Sequence, residues 1–321
     1  MARGGGGGGR GPMTRDVQVS KKMSWLLRHG AEKEGLVLEG GGYVGVNDVV
    51  GSFSASLSVL RMSIPFKSRH LTSAFPLQLQ NRNLKSLKVT FAELRSIVES
   101  NDKQRFSMIP KSEAPTESTD TPVTAETTTA SVTFDIDNDD PSNFLIRANQ
   151  GHSIKVEEEG LLEPISLDSE LPSIVVHGTT HKAWPQIVAS GGLKKMTRNH
   201  VHFASGLPAG FELLAGSNDT TSEAQKEPVI SGMRNTSAVL IFIDIRKALE
   251  GGLKFWKSAN GVILSDGDES GLIPLAYFAR VEERKRGVGI LVRDGEVVNE
   301  LPEALTRGGD GGRRGGRGGR K

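Results

Sequence analysis

The chain has 321 residues, a formal net charge of +2 at pH 7 and no cysteine. This length allows two modest domains with additional tails. The lack of cysteine excludes disulfides, thiolate zinc sites and cysteine nucleophiles. No run reaches the ~18 apolar residues of a membrane helix, and the glycine-rich start has no apolar signal-peptide core. We therefore expect a soluble intracellular protein with no membrane partner.

Both ends of the chain are rich in glycine and arginine, with the sequences MARGGGGGGR and RGGDGGRRGGRGGRK. Such composition cannot bury a core, so we expect disordered tails over 1–14 and at the end of 291–321. Arginine–glycine segments suit single-stranded nucleic acid, through charge and guanidinium stacking. Composition alone fits a solubilising tail with no specific partner equally well.

The first elements are predicted from apolar spacing and punctuation. Residues 17–34 have the spacing of an amphipathic helix, which runs into Arg28-His29-Gly30. A tight hairpin is predicted over 36–46, with Glu39 and three glycines between its strands. A second clear helix is predicted at 90–100, where Thr90 and Glu93 have the spacing of a capping box.

Two segments lack a core-forming pattern. Residues 51–88 are serine-rich, basic and interrupted by prolines, so we interpret them as an insertion. Residues 110–142 are rich in Ser, Thr, Pro, Glu and Asp, which predicts a disordered loop. Order is expected to resume with a strand at 144, in the sequence FLIRANQGHSIKV.

The second half of the chain contains several short predicted strands and few helices. The run 174–176 predicts a strand that ends at the corner His177-Gly178-Thr179. A helix at 182–190 leads to a strand that carries Asn199, His200 and His202, whose alternation places the two histidines on one face. After a loop at 206–228, further elements are predicted at 238–245, 246–250, 253–256, 262–264 and, as the last strand, 275–282. This pattern favours an α+β lobe over a doubly wound sheet.

The common nucleotide and metal signatures give little support to other classes. No GxxxxGK[ST] motif is present, and the N-terminal glycine run precedes no strand–helix unit. His177 with His181, or His200 with His202, could be zinc ligands. These pairs have no recognisable carboxylate partner, and Arg198 is close by, so we expect no metal.

Arginines give a sharper indication of chemistry. Arg28, Arg105, Arg147 and Arg234 each lie close to Gly, Gln, His or Ser at predicted element ends. Guanidinium groups are permanently charged and fork-shaped, which suits phosphate groups and the charge that develops during their transfer. Each arginine alone is more typical of a surface salt bridge than of a ligand contact. Four together favour a phosphate site.

At this point six motifs, in this order, resemble the tRNA 2′-phosphotransferases. They are Arg28-His29-Gly30, Lys103-Gln104-Arg105-Phe106, Arg147-Ala148-Asn149-Gln150-Gly151-His152-Ser153, His177-Gly178-Thr179, Arg198-Asn199-His200-Val201-His202 and Ser231-Gly232-Met233-Arg234. The resemblance covers about 15–50, 89–108 and 143–283. It implies an α+β protein with an N-terminal winged-helix lobe for RNA (15–165) and a C-terminal ADP-ribosyltransferase-like split β-sheet lobe for NAD⁺ (166–290). The active site would lie in the cleft between them.

The resemblance also implies the reaction. The internal 2′-phosphate at the splice junction of ligated tRNA attacks C1 of the nicotinamide ribose and expels nicotinamide. The neighbouring ribose hydroxyl then attacks the new phosphodiester, which releases repaired tRNA and ADP-ribose 1″,2″-cyclic phosphate. NAD⁺ is thus a co-substrate of this last step of tRNA splicing, and no metal is implied.

Site residues follow from the same resemblance. The catalytic group falls on Arg28, His29, Arg105 and Arg234. The three arginines would hold the phosphate, and His29 is the member able to carry a proton near neutral pH. The expected NAD⁺ wall is His177, Gly178, Thr179, His200, His202 and Ser231. RNA or phosphate binding, or the lobe interface, is assigned to Arg147, Asn149, Gln150, His152 and Ser153.

Two alternatives stay open at this stage. One is an NAD-dependent ADP-ribosyltransferase that stops after the first step on a phosphorylated nucleic acid. The other is a catalytically impaired RNA-binding protein, if the insertion at 51–88 displaces the support of Arg28. The complete set of Arg28, His29, Arg105 and Arg234 favours the phosphotransferase. We expect a monomer in the nucleus or cytoplasm.

Overall fold

The computed structural model describes residues 13–50, 87–114, 140–207, 233 and 237–306. The chain divides into two compact units, Met1–Leu162 and Glu163–Lys321. Both mix helices with small antiparallel sheets, so the predicted α+β class is correct. Within the described ranges, no helix is long and apolar enough to cross a membrane.

The first unit begins with helix α1 (Arg15–Trp25), which continues into a π-helical turn (Leu26–Gly30). Its other elements are β1 (Val44–Gly45), α2 (Val46–Val50), α3 (Phe91–Glu99), β2 (Phe106–Pro110) and β3 (Phe144–Ala148). Helix α3 begins as the capping box predicts, because the Thr90 hydroxyl accepts a hydrogen bond from the Glu93 amide at 3.2 Å. One apolar core joins α1, the π-helical turn, α2, α3 and the sheet.

The sheet of this unit is antiparallel, in the order β1-β3-β2. Its register pairs Phe106 with Ala148 and Val44 with Ile146. The hairpin predicted over 36–46 is present only as a single bridge between Glu39 and Tyr43. Beyond that bridge the chain does not fold back on itself, because Val44–Gly45 pairs with β3 instead. Strand β3 is therefore central, and the segment that follows it starts between its two neighbours.

The second unit has three sheets. Its elements are β4 (Leu162–Ile165), β5 (Val176–Thr179), α4 (Trp184–Ala189), β6 (Gly192–Lys194), β7 (Val201–Phe203), β8 (Val239–Ile243), α5 (Ile245–Glu250), β9 (Lys254–Ser258), β10 (Ile263–Gly267), β11 (Leu272–Pro274), β12 (Phe278–Glu283), β13 (Gly289–Arg293), β14 (Glu296–Val297) and α6 (Glu303–Thr306). Their orders are β4-β9-β10-β7, β11-β6 and β14-β13-β12-β8-β5. The main core of the unit lies between these sheets and is built from aliphatic and aromatic side chains of most strands.

Two expectations for the second unit are wrong in detail. His177-Gly178-Thr179 is not a corner after a strand; it lies within β5, because these residues pair with Leu240 and its neighbours on β8. Residues 291–297 are not part of a tail. Leu291 and Val292 are fully buried, since β13 pairs with β12. Strand 275–282 is therefore not the last one.

Several predictions fall mainly or wholly outside the described residues. They are the glycine-rich start (1–12), most of the insertion-like segment (51–86), the centre of the first loop (115–139), most of the second loop (208–228) and the arginine–glycine end (307–321). Ser231 and Arg234 are also outside the described residues.

Candidate active site

The π-helical turn at the end of α1 carries the first motif. Leu26 and Leu27 are fully buried in the core, whereas Arg28 and His29 are half-buried. A π-helical turn bonds i to i+5 and interrupts the α-helical spacing, and such turns are frequent at functional sites. The apolar residues thus anchor the turn, and the two polar residues that follow are presented by it.

Backbone and side-chain contacts join this turn to the segment after β3. His29 Nδ1 lies 2.8 Å from Ser153 Oγ, and the Ser153 amide donates to the Arg28 carbonyl at 2.9 Å. Gly151 has φ +91°, and a Cβ there would lie 3.5 Å from Arg28 Cδ. A side chain at Gly151 would be strained by this backbone conformation. The structure therefore brings Arg28, His29 and the segment 151–153 together.

Arg105 lies in the segment 104–107, which hydrogen bonds of Asn149 hold in place. Asn149 is 3% exposed, and its amide nitrogen donates to the Gln104 carbonyl at 2.7 Å. Its side-chain oxygen accepts from the Ser107 hydroxyl at 2.6 Å, and its backbone N–H donates to the Arg105 carbonyl at 3.0 Å. Gln104 has φ +42°, a conformation that non-glycine residues adopt at a cost.

Asn149 is therefore bonded to the loop that carries Arg105. Its hydrogen-bond partners among the described residues belong to the 104–107 segment, and its side chain is buried. This differs from the predicted role of Asn149 in binding RNA or phosphate. The physical reason is that the bonds to Gln104 and Ser107 hold the strained loop in one shape.

Arg105 itself is half-buried and points its Nη1 at Asn101 Oδ1, at 3.3 Å. Burial lowers the pKa of Arg105, and the nearby charge of Asp102 opposes that shift. Arginine stays protonated at neutral pH even so. Arg105 thus keeps a positive charge in a partly dehydrated position, which suits an anionic ligand.

Arg147 does not belong to this group. It lies on β3, is 9% exposed, and donates through Nη1 to the carbonyls of Gly41 at 3.1 Å and Gly160 at 2.6 Å. Its guanidinium also lies 4.5 Å from the ring centroid of Tyr43. Burial lowers the pKa of Arg147 and raises that of Tyr43. The described contacts of Arg147 thus join two glycine-containing turns. Its predicted role in RNA or phosphate binding, or at the lobe interface, stays a prediction.

The remaining residues of the 147–153 motif lie partly in the interior and partly at the surface. Gln150 is half-buried, His152 is buried and Ser153 is exposed. The alternation of β3 ends at Ala148, so the positions from 149 onward are set by the loop and not by the strand period. Ser153 is accessible to a ligand and at the same time orients His29.

Two histidines of the second unit are held close to each other. His177 on β5 lies with Nδ1 2.9 Å from the backbone oxygen of His202 on β7. Because a carbonyl oxygen accepts, Nδ1 of His177 is the protonated nitrogen. Burial lowers the pKa of His177, and the bond to that carbonyl only partly opposes it. An isolated bridge, Val176 to Ala204, joins the two strands here.

His202 is a buried and strongly perturbed group. It is 9% exposed, and among the described residues its buried Nε2 has no hydrogen-bond partner. Burial, followed by the charge of Arg198 and by His200, lowers the pKa of His202 to about 3. The imidazole is therefore neutral at pH 7 and holds one unused hydrogen-bonding atom in an apolar place.

His200 and His202 border an aromatic surface on the sheet that contains β7. His202 and Trp256 both pair with Leu264, so the three residues occupy one row across β7, β10 and β9. His200 meets the Trp256 ring edge-on, with centroids 5.4 Å apart. The predicted shared face of His200 and His202 thus includes an indole that the sequence analysis did not assign.

Gly178 and Thr179 are half-buried beside these histidines. A Cβ at Gly178 would collide with the Met233 side chain and with Ser237 Oγ. The third position of β5 therefore has to be glycine if Met233 is to pack on it. Met233, a member of the motif 231–234, thus lies against Gly178.

A part-buried contact between a histidine and a carboxylate was missed by sequence reasoning. His181 Nε2 lies 2.7 Å from Glu283 Oε1, and the Glu283 carboxylate also accepts from the backbone N–H groups of Lys285, Arg286 and Val288. Burial raises the pKa of Glu283, but the bonds from His181 and the backbone outweigh it, so its net pKa is lowered. The pair fixes the corner after β5 to the end of β12. Its members are 102 positions apart, and no local pattern marks them.

Histidine and carboxylate side chains do not gather elsewhere in a metal-like group. Within the described ranges, no cluster of three or more His, Cys, Asp or Glu side chains could hold a metal ion.

The first unit thus presents two arginines and a histidine around the segment 149–153, and groups of this kind suit an anionic ligand. The family whose model matches is described as "RNA 2′-phosphotransferase, Tpt1 / KptA family", and the match covers residues 14–64 and 76–267. The chain belongs to this family.

Several curated proteins are similar in sequence to most of this chain. It is 32% identical over 280 residues to a tRNA 2′-phosphotransferase 1 of Danio rerio, covering 87% of this chain and 91% of that protein. It is 32% identical over 266 residues to the human protein of that name, covering 82% and 74%. A tRNA 2′-phosphotransferase of Saccharomyces cerevisiae is 31% identical over 254 residues, covering 78% and 79%.

The family match also revises the interpretation of residues 51–88 as an insertion. The family model continues through 51–64 and resumes at 76, so it leaves only residues 65–75 unmatched. The composition of 51–88 is unusual, but most of the segment aligns with the family pattern.

Proposed function

We propose that this protein removes the internal 2′-phosphate from the splice junction of ligated tRNA and transfers it to NAD⁺. The products are repaired tRNA, nicotinamide and ADP-ribose 1″,2″-cyclic phosphate. The observation that carries the proposal is the joint placement of Arg28, His29 and Arg105 around the segment 149–153, in a chain of this family.

Arg28 and Arg105 are proposed to bind the RNA phosphate, together with Arg234, which lies outside the described residues. Two observations support this role for Arg105. It is partly dehydrated and cationic, and Asn149 holds its backbone. Charge-assisted hydrogen bonds to phosphate strengthen when water is excluded. Both steps move charge around one phosphate, so fixed guanidinium groups stabilise each transition state.

His29 is proposed to move the proton of the second step. In that step a ribose hydroxyl loses a proton while the departing 2′-oxygen of the RNA gains one. His29 is suited to this exchange because an imidazole titrates near neutral pH. Since Nδ1 is bonded to Ser153 Oγ, we assign the exchange to Nε2. Ser153 then orients the ring.

NAD⁺ would supply the ribose C1 from which nicotinamide departs as the phosphate oxygen attaches. The residues of the second unit fit such a ligand. His177 and His202 are held neutral by burial, so they do not repel a positively charged pyridinium ring. His202 Nε2 has an unused bonding position in an apolar place, which a polar group of the ligand can occupy. We assign Gly178, Thr179, His200 and Ser231 to the same wall.

We further propose that the first unit is a winged-helix RNA lobe and that the second is an ADP-ribosyltransferase-like lobe. The helix–sheet mixture of the first unit and the several short strands of the second support this assignment. The protein would act as a monomer in the nucleus or cytoplasm, where spliced tRNA is produced.

The test uses an RNA oligonucleotide with one internal 2′-phosphate beside a 3′,5′ linkage. The protein is incubated with it, with and without NAD⁺, and all products are followed by mass. We expect NAD⁺-dependent loss of the phosphate together with ADP-ribose cyclic phosphate. The same RNA without the 2′-phosphate is the matched control and should stay unchanged. RNA that retains its phosphate with NAD⁺ present would contradict the proposal, and persistent RNA–ADP-ribose would limit the activity to the first step.

A further inference from the structure

Trp25 is an exposed aromatic side chain at the last position of α1. Its exposed fraction is 39%, and it is the one aromatic residue among the exposed large hydrophobic side chains of the described ranges. Trp25 is absent from the apolar core of its own unit. Surface aromatic residues of this kind are typical of places where a partner packs.

The indole is backed by the chain itself. A Cβ at Gly30 would lie 2.6 Å from Cη2 and Cζ3 of Trp25, so the absence of a side chain at Gly30 is what admits the ring. The contact spans five positions, the i to i+5 spacing of the π-helical turn. Trp25 is therefore held in a fixed orientation against the backbone of the turn that carries Arg28 and His29.

The charges around Trp25 are basic. From Val17 to Ala31 the sequence contains Lys21, Lys22 and Arg28 and no acidic residue. Lys21 is exposed and lies four positions before Trp25, so it shares its helix face. A fixed aromatic ring among cations is the arrangement with which proteins bind single-stranded nucleic acid. A protein partner would be expected to meet a larger apolar patch.

We propose that Trp25 stacks on a base of the RNA that flanks the 2′-phosphorylated nucleotide. The inference rests on the proposed function, since it takes Arg28 as the phosphate contact. Trp25 lies three positions before Arg28, so a nucleotide held there has its neighbour within reach of the ring. Stacking is tolerant of base identity, because every base has a π face. Trp25 thus contributes affinity and position, and not sequence specificity.

The test measures RNA binding without NAD⁺, so that no turnover is needed. Labelled RNA with one internal 2′-phosphate is titrated into wild type, Trp25→Phe, Trp25→Leu and Val17→Ala, and anisotropy gives Kd. Two further RNAs each lack one base, on the 5′ or the 3′ side of the phosphorylated nucleotide. Val17→Ala is the matched control because Val17 is another exposed apolar residue, 43% exposed, on the same helix.

We expect Trp25→Leu to raise Kd by about 5- to 150-fold, the range that one base stack supplies. Trp25→Phe should stay within a few-fold of wild type, and Val17→Ala should be unchanged. On one of the two abasic RNAs, wild type and Trp25→Leu should bind equally. Each protein is also compared with itself on the intact RNA: wild type should lose affinity on that abasic RNA, whereas Trp25→Leu should bind it as it binds the intact RNA. Altered folding of the variant does not imitate a penalty that depends on the presence of one base.

Two outcomes would overturn the proposal. One is an unchanged Kd in Trp25→Leu, which would assign the ring to another partner. The other is a higher Kd of Trp25→Leu than of wild type on both abasic RNAs, which would mean that the substitution weakens binding by altering the structure. If Trp25→Leu does not fold, quenching of tryptophan fluorescence by RNA decides: it should be present in wild type and absent in Trp25→Phe. Failure of phosphate transfer in the separate activity assay would not affect these binding results.

Discussion

Acidification should destabilise the second unit through His202. Its pKa falls from 6.5 to about 3 on folding because the ring is buried. The unfolded chain therefore takes up the proton first as the pH falls. The contribution of His202 to the free energy of unfolding is fully present above the unfolded pKa of 6.5 and decreases as the pH falls below it. It is fully lost near pH 3, where the folded ring is protonated as well.

The magnitude follows from the two pKa values. At pH 7 the cost of keeping the folded ring neutral is close to zero. At pH 5 it is about 2 kcal/mol, since each pKa unit corresponds to about 1.4 kcal/mol and the interval from 6.5 to 5 is about 1.5 units. If the pKa of folded His202 were one unit higher or lower, it would still be below 5. The cost of about 2 kcal/mol at pH 5 would therefore be almost unchanged.

Urea denaturation at pH 7, 6 and 5 measures this effect, with the fluorescence of buried Trp184 as the reporter of the second unit. His202→Gln has no group that titrates in this range. Wild type should lose about 2 kcal/mol more unfolding free energy between pH 7 and pH 5 than this variant does. The bond from His177 to the backbone oxygen of His202 is common to both proteins. Equal losses in the two proteins would refute the claim that His202 is buried in its neutral form.

Three substitutions in the first unit separate chemistry from architecture. Arg105→Ala should abolish phosphate transfer with little change in Tm, because Arg105 is half-buried and is assigned to the phosphate; near-wild-type turnover would remove the assignment. Arg147→Ala should do the opposite and lower the free energy of unfolding by about 3 kcal/mol, since the buried carbonyl of Gly41, the part-buried carbonyl of Gly160 and the Tyr43 ring lose their partner. Urea titration measures this loss, and a stable but inactive variant would contradict it. Asn149→Ala should lower kcat more than it raises the KM for RNA, because the substitution removes the hydrogen bonds that hold the Arg105 loop. An effect on KM alone would instead indicate that Asn149 binds RNA.

Local sequence signals correctly predicted the elements whose contacts are between residues close in sequence. Thr90 and Glu93 are three positions apart, and the cap they form needs nothing else. The association of Arg28, His29 and Arg105 could be proposed from the family resemblance. The described contacts join Arg28 and His29 to Ser153, and Arg105 to Asn149, four positions earlier. That result required the order of the motifs, because single arginines give no information about their partners.

What sequence reasoning missed depends on distant partners. Arg147 has the same neighbours in sequence as a ligand-binding arginine would, but its acceptors are at Gly41 and Gly160. His177 was expected at the end of a strand, yet pairing with β8, more than 60 positions later, extends the strand past it. The core position of β13 was hidden for the same reason: its pairing partner β12 sets its burial, and its own residues resemble a tail.

The π-helical turn makes the spacing between α1 and its two polar residues sensitive to chain length. Each residue of an α-helix turns the chain by about 100°. Removal of one residue between Leu26 and Gly30 would let the helix close in its ordinary geometry and would also rotate everything beyond it by about that angle. Arg28 and His29 would then leave the side that faces Ser153, although every residue type that the chemistry needs was still present. In this protein the count of residues in one turn is as important as their identity.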